Sequence, residues 1–186
     1  MKFFKHLHTV NKHRFLVMKY CFKIGLIWRG LTHDLSKYSF TEFIPGVKYY
    51  QGTRSPTVKE RIENGYSKAW LHHKGRNKHH FEYWEDFSME TRKYEPVEMP
   101  RQYLLEMFCD RIAASKVYMR DKYTDSYPLE YLLNKDKNAR FHQNTRDQIT
   151  LLLTLLAKKG EKETFRLIKK YRKDKELFNK IKITLE

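Results

Sequence analysis

Apolar residues recur along this chain at steps of three and four and almost never alternate in steps of two, so helices rather than strands must supply its core. Val10, His13, Val17, Cys21, Ile24 and Trp28 form one stripe over residues 9–29, which Gly30 is expected to end. Ser39 with Glu42 three residues on reads as a capping box opening a helix through about Tyr50. QGTRSP (51–56) is a loop, and Val58, Ile62, Tyr66, Trp70 and His73 predict one helix over 57–73, closed by Gly75. Asn77 can cap a short helix containing His80 and Trp84, and residues 88–99 read as irregular. Pro100 suits the first turn of a helix over about 100–121, striped by Tyr103, Met107, Asp110, Ala114 and Val117. A polar loop (122–143) leads to Asn144, which opens a leucine-rich helix ending at Gly160, and one or two charged helices finish the chain. No internal repeat or long polar linker divides it. The expectation is an all-α single domain over residues 1–186, a helical bundle with its core in 1–121 and C-terminal helices (144–186) packed on it.

Composition narrows the class. At 186 residues with 40% hydrophobic and 15% aromatic content, the chain has enough apolar surface to build one core. Cys21 and Cys109 are the only cysteines, which excludes a disulfide scaffold or a cysteine-based zinc module and fits a reducing, cytoplasmic setting. The N-terminal 28 residues superficially suggest a signal or anchor, but Lys5, Lys12, Arg14, Lys19 and Lys23 interrupt them. A basic amphipathic helix packing into the core is preferred there to a membrane-surface helix, and no transmembrane segment is expected. The net charge is +16 and sits at the two ends. Residues 1–37 hold eight Lys or Arg against Asp34 alone, and residues 158–186 hold eleven against five acids. Such a field attracts anions, nucleic acid included, although the interleaved signs after residue 158 equally describe a solvated helix face. ITLLLTLLA (149–157) could serve a core or a dimer, leaving monomer and homodimer open.

Polar residues interrupt the apolar stripes at chosen places. His13 lies mid-stripe, and Asp110 sits between Met107 and Ala114. A buried carboxylate needs a cation, a metal or several donors beside it. His33-Asp34 follow a helix end, and His72-His73 and His79-His80 flank Lys74-Gly75-Arg76-Asn77-Lys78, so eight of nine histidines fall within residues 6–80. Imidazoles and carboxylates contributed by separate helices are how a bundle builds a divalent-metal centre. A mixed N/O set favours Fe, Mn, Zn or Co, with Mg a further option, over Ca.

The order His13, His33-Asp34 in HDLSK (33–37), the His pairs of HHKGRNKHH (72–80), then Asp110 resembles the HD superfamily of metal-dependent phosphohydrolases. HDLSK is similar to the HD-x-x-K signature of several branches, the HD-GYP phosphodiesterases among them. The same strings resemble, over most of residues 1–120, a family of small bacterial and phage proteins known mainly from sequence. The resemblance implies an HD-like helical fold in which His13, His33, Asp34 and Asp110 ligate one metal. In binuclear branches a second ion is held by further His, here His73 and His80, with His72 and His79 as the second choice. His73 is preferred because it extends the Val58–Trp70 stripe. Metal-activated water would attack phosphorus, with Asp34 bridging the ions and orienting the water. Lys37 would contact a substrate phosphate, Arg76 would add a bidentate phosphate contact, and Asn77 with Lys74 or Lys78 would read the remaining oxygens or sugar of a nucleotide or related phosphorylated small molecule. The 20-residue step from His13 to His33 is compact for the superfamily, and no GYP element follows, which argues against cyclic-dinucleotide specificity.

The absence of G-x-x-x-x-G-K-[ST] and G-x-G-x-x-G removes the NTPase and dinucleotide folds. A His-Asn-His nuclease would need a β-hairpin and wider spacing. Two non-catalytic alternatives stand beside the enzyme: a nucleic-acid-binding protein using the basic ends and its tyrosines, and a metal-stabilised interaction module.

Overall fold

The first stripe folds as a helix over a shifted span. Helix α1 (Lys2–Lys23) buries His6, Val10, His13, Val17, Tyr20 and Cys21 on one face, the three-four spacing that one side of a helix presents. It gives out before Gly25, φ +73°, not at Gly30. Gly30 sits inside α2 (Ile27–Thr32), where a Cβ would stand 3.0 Å from Cys21 Cβ and 3.1 Å from the Phe22 ring. Its missing side chain lets α2 lie against α1. The chain has already turned by then, so Trp28 leaves the buried stripe and is 78% exposed.

The computed structural model describes residues 1–185. Helix α3 (Phe40–Lys48) begins after Ser39, as expected, yet Ser39 makes no side-chain cap bond and Glu42 turns inward. The helix expected over 57–73 is two. Helix α4 (Pro56–Asn64) ends at Gly65, φ +78°, and α5 (Lys68–Arg76) starts after Ser67, whose hydroxyl accepts the Trp70 N–H. The three-four pattern ran across this break because Ile62 and Tyr66, counted as core, are exposed. Helix α5 also passes through Gly75, and Asn77 ends it rather than starting a new helix. Residues 88–99 are not wholly irregular: β1 (Glu85–Phe87) pairs antiparallel with β2 (Tyr94–Pro96), Phe87 opposite Tyr94. This small sheet corrects the strictly all-α expectation, and the fold is mostly helical.

Helix α6 (Arg101–Met119) runs through the middle. Leu104, Leu105, Met107, Phe108, Cys109, Ile112 and Ala113 are buried on several sides of it, and it packs on both α1 and α8 (Gln143–Tyr171). The expected polar loop contains one more helix, α7 (Tyr127–Asn134), seated by Leu132. Gly160 (φ +73°, ψ 170°) is non-helical and breaks the helical path within α8, so the leucine-rich stretch stops there as expected and a second helical stretch runs on to Tyr171; α9 (Leu177–Leu185) closes the described chain. One apolar cluster joins Val17 and Ile24 to Phe108, Ile112, Leu152, Leu156, Ile168, Leu177 and Ile181, each fully buried side chain contributing roughly 1.5–3 kcal/mol. Cys21 and Cys109 lie inside it as buried thiols. Just past the bend, Glu161 accepts from Lys23 Nζ at 2.7 Å and from Tyr20 Oη at 3.1 Å, and also pairs with Lys116. It therefore ties α1 and α6 to α8. No helix among the described residues is long and apolar enough to cross a membrane.

Candidate metal centre

Three helices, the turn at Asp34 and the turn that follows α5 at His79 and His80 carry the polar residues inward. His13 lies on the buried face of α1 and Asp110 on α6. Their side chains meet at 3.0 Å, His13 Nε2 to Asp110 Oδ1. Asp34 follows the end of α2 with φ +54°, ψ 25°, a left-handed conformation uncommon outside glycine that an aspartate tolerates better than most residues. Arg14 holds this corner, donating from Nε to the His33 carbonyl at 2.8 Å and from Nη2 to that of Leu31 at 3.1 Å. Residues 35–38 then form one 3-10 turn, whose three-residue period brings Lys37 back over Asp34.

The two oxygens of Asp34 face different sets of donors. Oδ2 lies 3.5 Å from His13 Nε2 and 3.4 Å from His33 Nε2, and these nitrogens are 3.4 Å from each other. Asp110 Oδ1 completes this first set, 3.7 Å from His33 Nε2. Oδ1 lies 3.3 Å from His73 Nε2 and 3.4 Å from His79 Nε2, and His80 Nε2 is 2.9 Å from His73 Nε2. The residues group as His13, His33, Asp34, Asp110 and as Asp34, His73, His79, His80, and each group could hold a metal ion. Donor atoms about 2.1 Å from one ion stand roughly 3.0–3.4 Å apart at octahedral to tetrahedral angles, which is close to the spacing seen. Asp34 Oδ1 and His79 Nε2 are buried and have no hydrogen-bond partner, the condition that ligation of a cation would relieve.

Outer groups orient the rings. Glu106 Oε1 is 2.9 Å from His33 Nδ1 and 3.2 Å from His79 Nδ1, while Arg29 Nη1 donates to its Oε2 at 3.1 Å. Glu42 Oε2 takes His73 Nδ1 at 2.7 Å and its Oε1 takes His72 Nδ1 at 2.7 Å. For His33, His79 and His73 the ring's far nitrogen is left for the centre. Burial alone would raise the Glu106 carboxyl, but the His33 and His79 N–H groups hold it down at about 2. Burial likewise opposes charge on Asp34 and Asp110, yet the surrounding cations and N–H donors keep both carboxyls well below the usual range. The carboxylates push the other way on their partners, holding His13 and His33 above the ordinary imidazole value against desolvation. His80 is desolvated and crowded by His79 and His73, which drives it well down and leaves it neutral.

A cavity of about 190 Å³ opens on the centre, lined by Lys37, Glu42, Tyr50, Trp70 and Tyr118 together with His13, Asp34, His73, His80 and Asp110. A second of about 400 Å³ adjoins it, sharing Trp70, His80, Asp110 and Tyr118 and reaching Arg54 and Arg111. The expected residues divide accordingly. His13, His33, Asp34, His73, His80 and Asp110 come together, and His79, ranked behind His80, joins them. His72 is drawn off to Glu42. Lys37 is on the cavity wall. Asn77 instead spends its amide on Ser36 Oγ and the His73 carbonyl, both at 2.8 Å, fixing His73 rather than reading a ligand. Lys74, Arg76 and Lys78 line neither cavity, and Lys78 lies over the Tyr83 ring. The hairpin after the His pairs contributes nothing to either donor group.

Sequence reading missed Glu106 and Glu42. Glu106 precedes Asp110 by four residues and so shares its helix face, a signal that was there to be used. Glu42 was hidden because the capping-box pattern gave it a plausible local partner.

Residues 2–155 match DUF5662, a family of unknown function, and the chain belongs to that family. No curated protein and no solved structure matches it.

Proposed function

We propose that this chain is a divalent-metal-dependent phosphohydrolase that acts on a nucleotide or related phosphorylated small molecule and holds two ions. One observation carries the reading: a single buried carboxylate, Asp34, sends each of its oxygens toward a separate set of histidines at ligand spacing. His13, His33, Asp34 and Asp110 would hold one ion, and Asp34, His73, His79 and His80 the other, in the HD-like arrangement the sequence resembles. When bound, such ions supply Lewis acidity that makes water nucleophilic near neutral pH and offsets phosphoryl charge.

The chain's own residues do the rest. Lys37 Nζ, 3.3 Å from Asp34 Oδ2 on the cavity wall, is placed to take a phosphoryl oxygen. Burial lowers its affinity for a proton, but Asp34 and its neighbours more than restore it, so it stays an ammonium. Trp70 and Tyr118, shared by both cavities, offer flat apolar walls for the organic part of the substrate. The largely buried setting limits water around the phosphoryl group, which strengthens each charge contact.

Inductively coupled plasma analysis of the purified chain, followed by hydrolysis of p-nitrophenyl phosphate and a nucleotide panel by the metal-loaded protein, tests the reading. Asp34→Ala should remove turnover while leaving affinity for a generic polyanion unchanged. A well-folded wild-type chain that binds no divalent ion ends the proposal. Salt-sensitive nucleic-acid binding without turnover would favour the non-catalytic alternative instead.

A further inference from the structure

We infer that Glu106 is a positioning residue shared by both ion sites, so that its loss weakens the two together although it belongs to neither. This rests on the two-ion reading and adds to it the means by which the sites are kept in register. Glu106 Oε1 accepts at 2.9 Å from Nδ1 of His33, a member of the first donor group, and stands 3.2 Å from Nδ1 of His79, a member of the second. A neutral imidazole that donates from Nδ1 keeps its lone pair on Nε2. One oxygen therefore selects, in two rings at once, the tautomer and direction that an ion requires. The two rings lie against each other, centroids 4.3 Å apart and planes tilted by 36°, with that oxygen beside both.

The carboxylate is itself held. Arg29 binds Oε2 at 3.1 Å and lies 3.8 Å over the Tyr103 ring, so Glu106 cannot swing without giving up an ion pair. At 4% exposure, water does not compete for these bonds. Glu106 with His33 and His79 forms a third acidic-imidazole group, but the guanidinium against it disfavours a further cation there. Glu42 supports His73 alone among the donor residues, so it steadies only the second set.

The test compares wild type, Glu106→Ala, Glu106→Gln and His80→Ala, first metal-free by far-UV circular dichroism and thermal melting. Each is then titrated with Zn²⁺ and Mn²⁺ by calorimetry, with bound metal counted after dialysis. Wild type should take up two ions, and His80→Ala should weaken the second site alone. Glu106→Ala should weaken both in parallel, by roughly 10–100-fold as outer-carboxylate losses typically do. Glu106→Gln keeps an acceptor oxygen and should recover part of that loss at both sites. If Glu106→Ala fails to fold, Arg29→Met releases Oε2 without touching either ring and should also weaken both sites. A variant of Glu106 or Arg29 that keeps one ion at wild-type affinity overturns the inference and leaves the metal centre standing. A wild type that takes up no ion removes both.

Discussion

Lys37 Nζ lies 3.3 Å from Asp34 Oδ2, one 3-10 turn further along the chain. This places a fixed cation beside the carboxylate that serves both donor groups. Replacing it by Met should cost about 10–100-fold in kcat/KM for a phosphoester, the equivalent of roughly 1.5–3 kcal/mol for a hydrogen bond to a charged group. Bound-metal content should stay at the wild-type level. Steady-state kinetics with parallel metal analysis would check both halves, and a drop in metal content would make Lys37 structural instead.

The two histidine pairs should behave asymmetrically. His79→Ala removes an inward donor and should empty one ion from a wild-type complement of two. His72→Ala should keep both ions, because His72 bonds only to Glu42 and belongs to neither donor group. Metal counting on the two variants side by side distinguishes them, and equal losses would contradict the division of roles between His79 and His72.

Ion uptake should release protons and tighten with rising pH. His13 and His33 are held above the ordinary imidazole value by neighbouring carboxylates, so near neutrality their rings carry protons that must leave before both Nε2 atoms can ligate. His80, driven down by burial, adds no such cost in that range. Affinity should therefore climb as pH rises beyond the unperturbed imidazole value near 6.5, since both rings hold their protons above it. Calorimetry in buffers of different ionisation enthalpy would count the protons, and a flat profile would contradict the sign.

Gly30→Ala separates two roles for that glycine. In an open helix interior, Ala is more favourable than Gly by roughly 0.5–1 kcal/mol. Here the new methyl would meet Cys21 Cβ at 3.0 Å and the Phe22 ring at 3.1 Å, and overpacking of this kind costs about 1–3 kcal/mol. Urea unfolding should show net destabilisation. A stabilised variant would mean that α2 does not press on α1 as described.

Much of the helical layout was legible from periodicity, and its failures have local causes. A three-four stripe reports apolar spacing but not whether the backbone stays helical between its members, so Gly65 split one expected helix and Ile62 and Tyr66 turned out to face water. The stop at Gly160, by contrast, was legible, because a glycine at φ +73° and ψ 170° lies outside the helical region and breaks the path there. Helix α7 escaped notice because a short helix among polar residues carries little periodic signal. His13, His73 and Asp110 were legible because an acid or imidazole in an apolar stripe is costly wherever it falls, whereas His33, Asp34 and His80 were legible only through the HDLSK and HHKGRNKHH strings. His79 was not separable from His80, since adjacent residues in a turn depend on backbone angles that spacing does not encode. Glu106 and Glu42 were missed because they orient ligands without belonging to the motif that drew attention.

Glu161 has a reach that its position, beyond residue 155 and the bend in α8, conceals. It grips Tyr20 and Lys23 near the far end of α1 and Lys116 near the far end of α6. The same two helices carry His13 and Asp110. A side chain that never approaches the imidazole and the carboxylate therefore braces, from behind, both of the arms on which they are mounted.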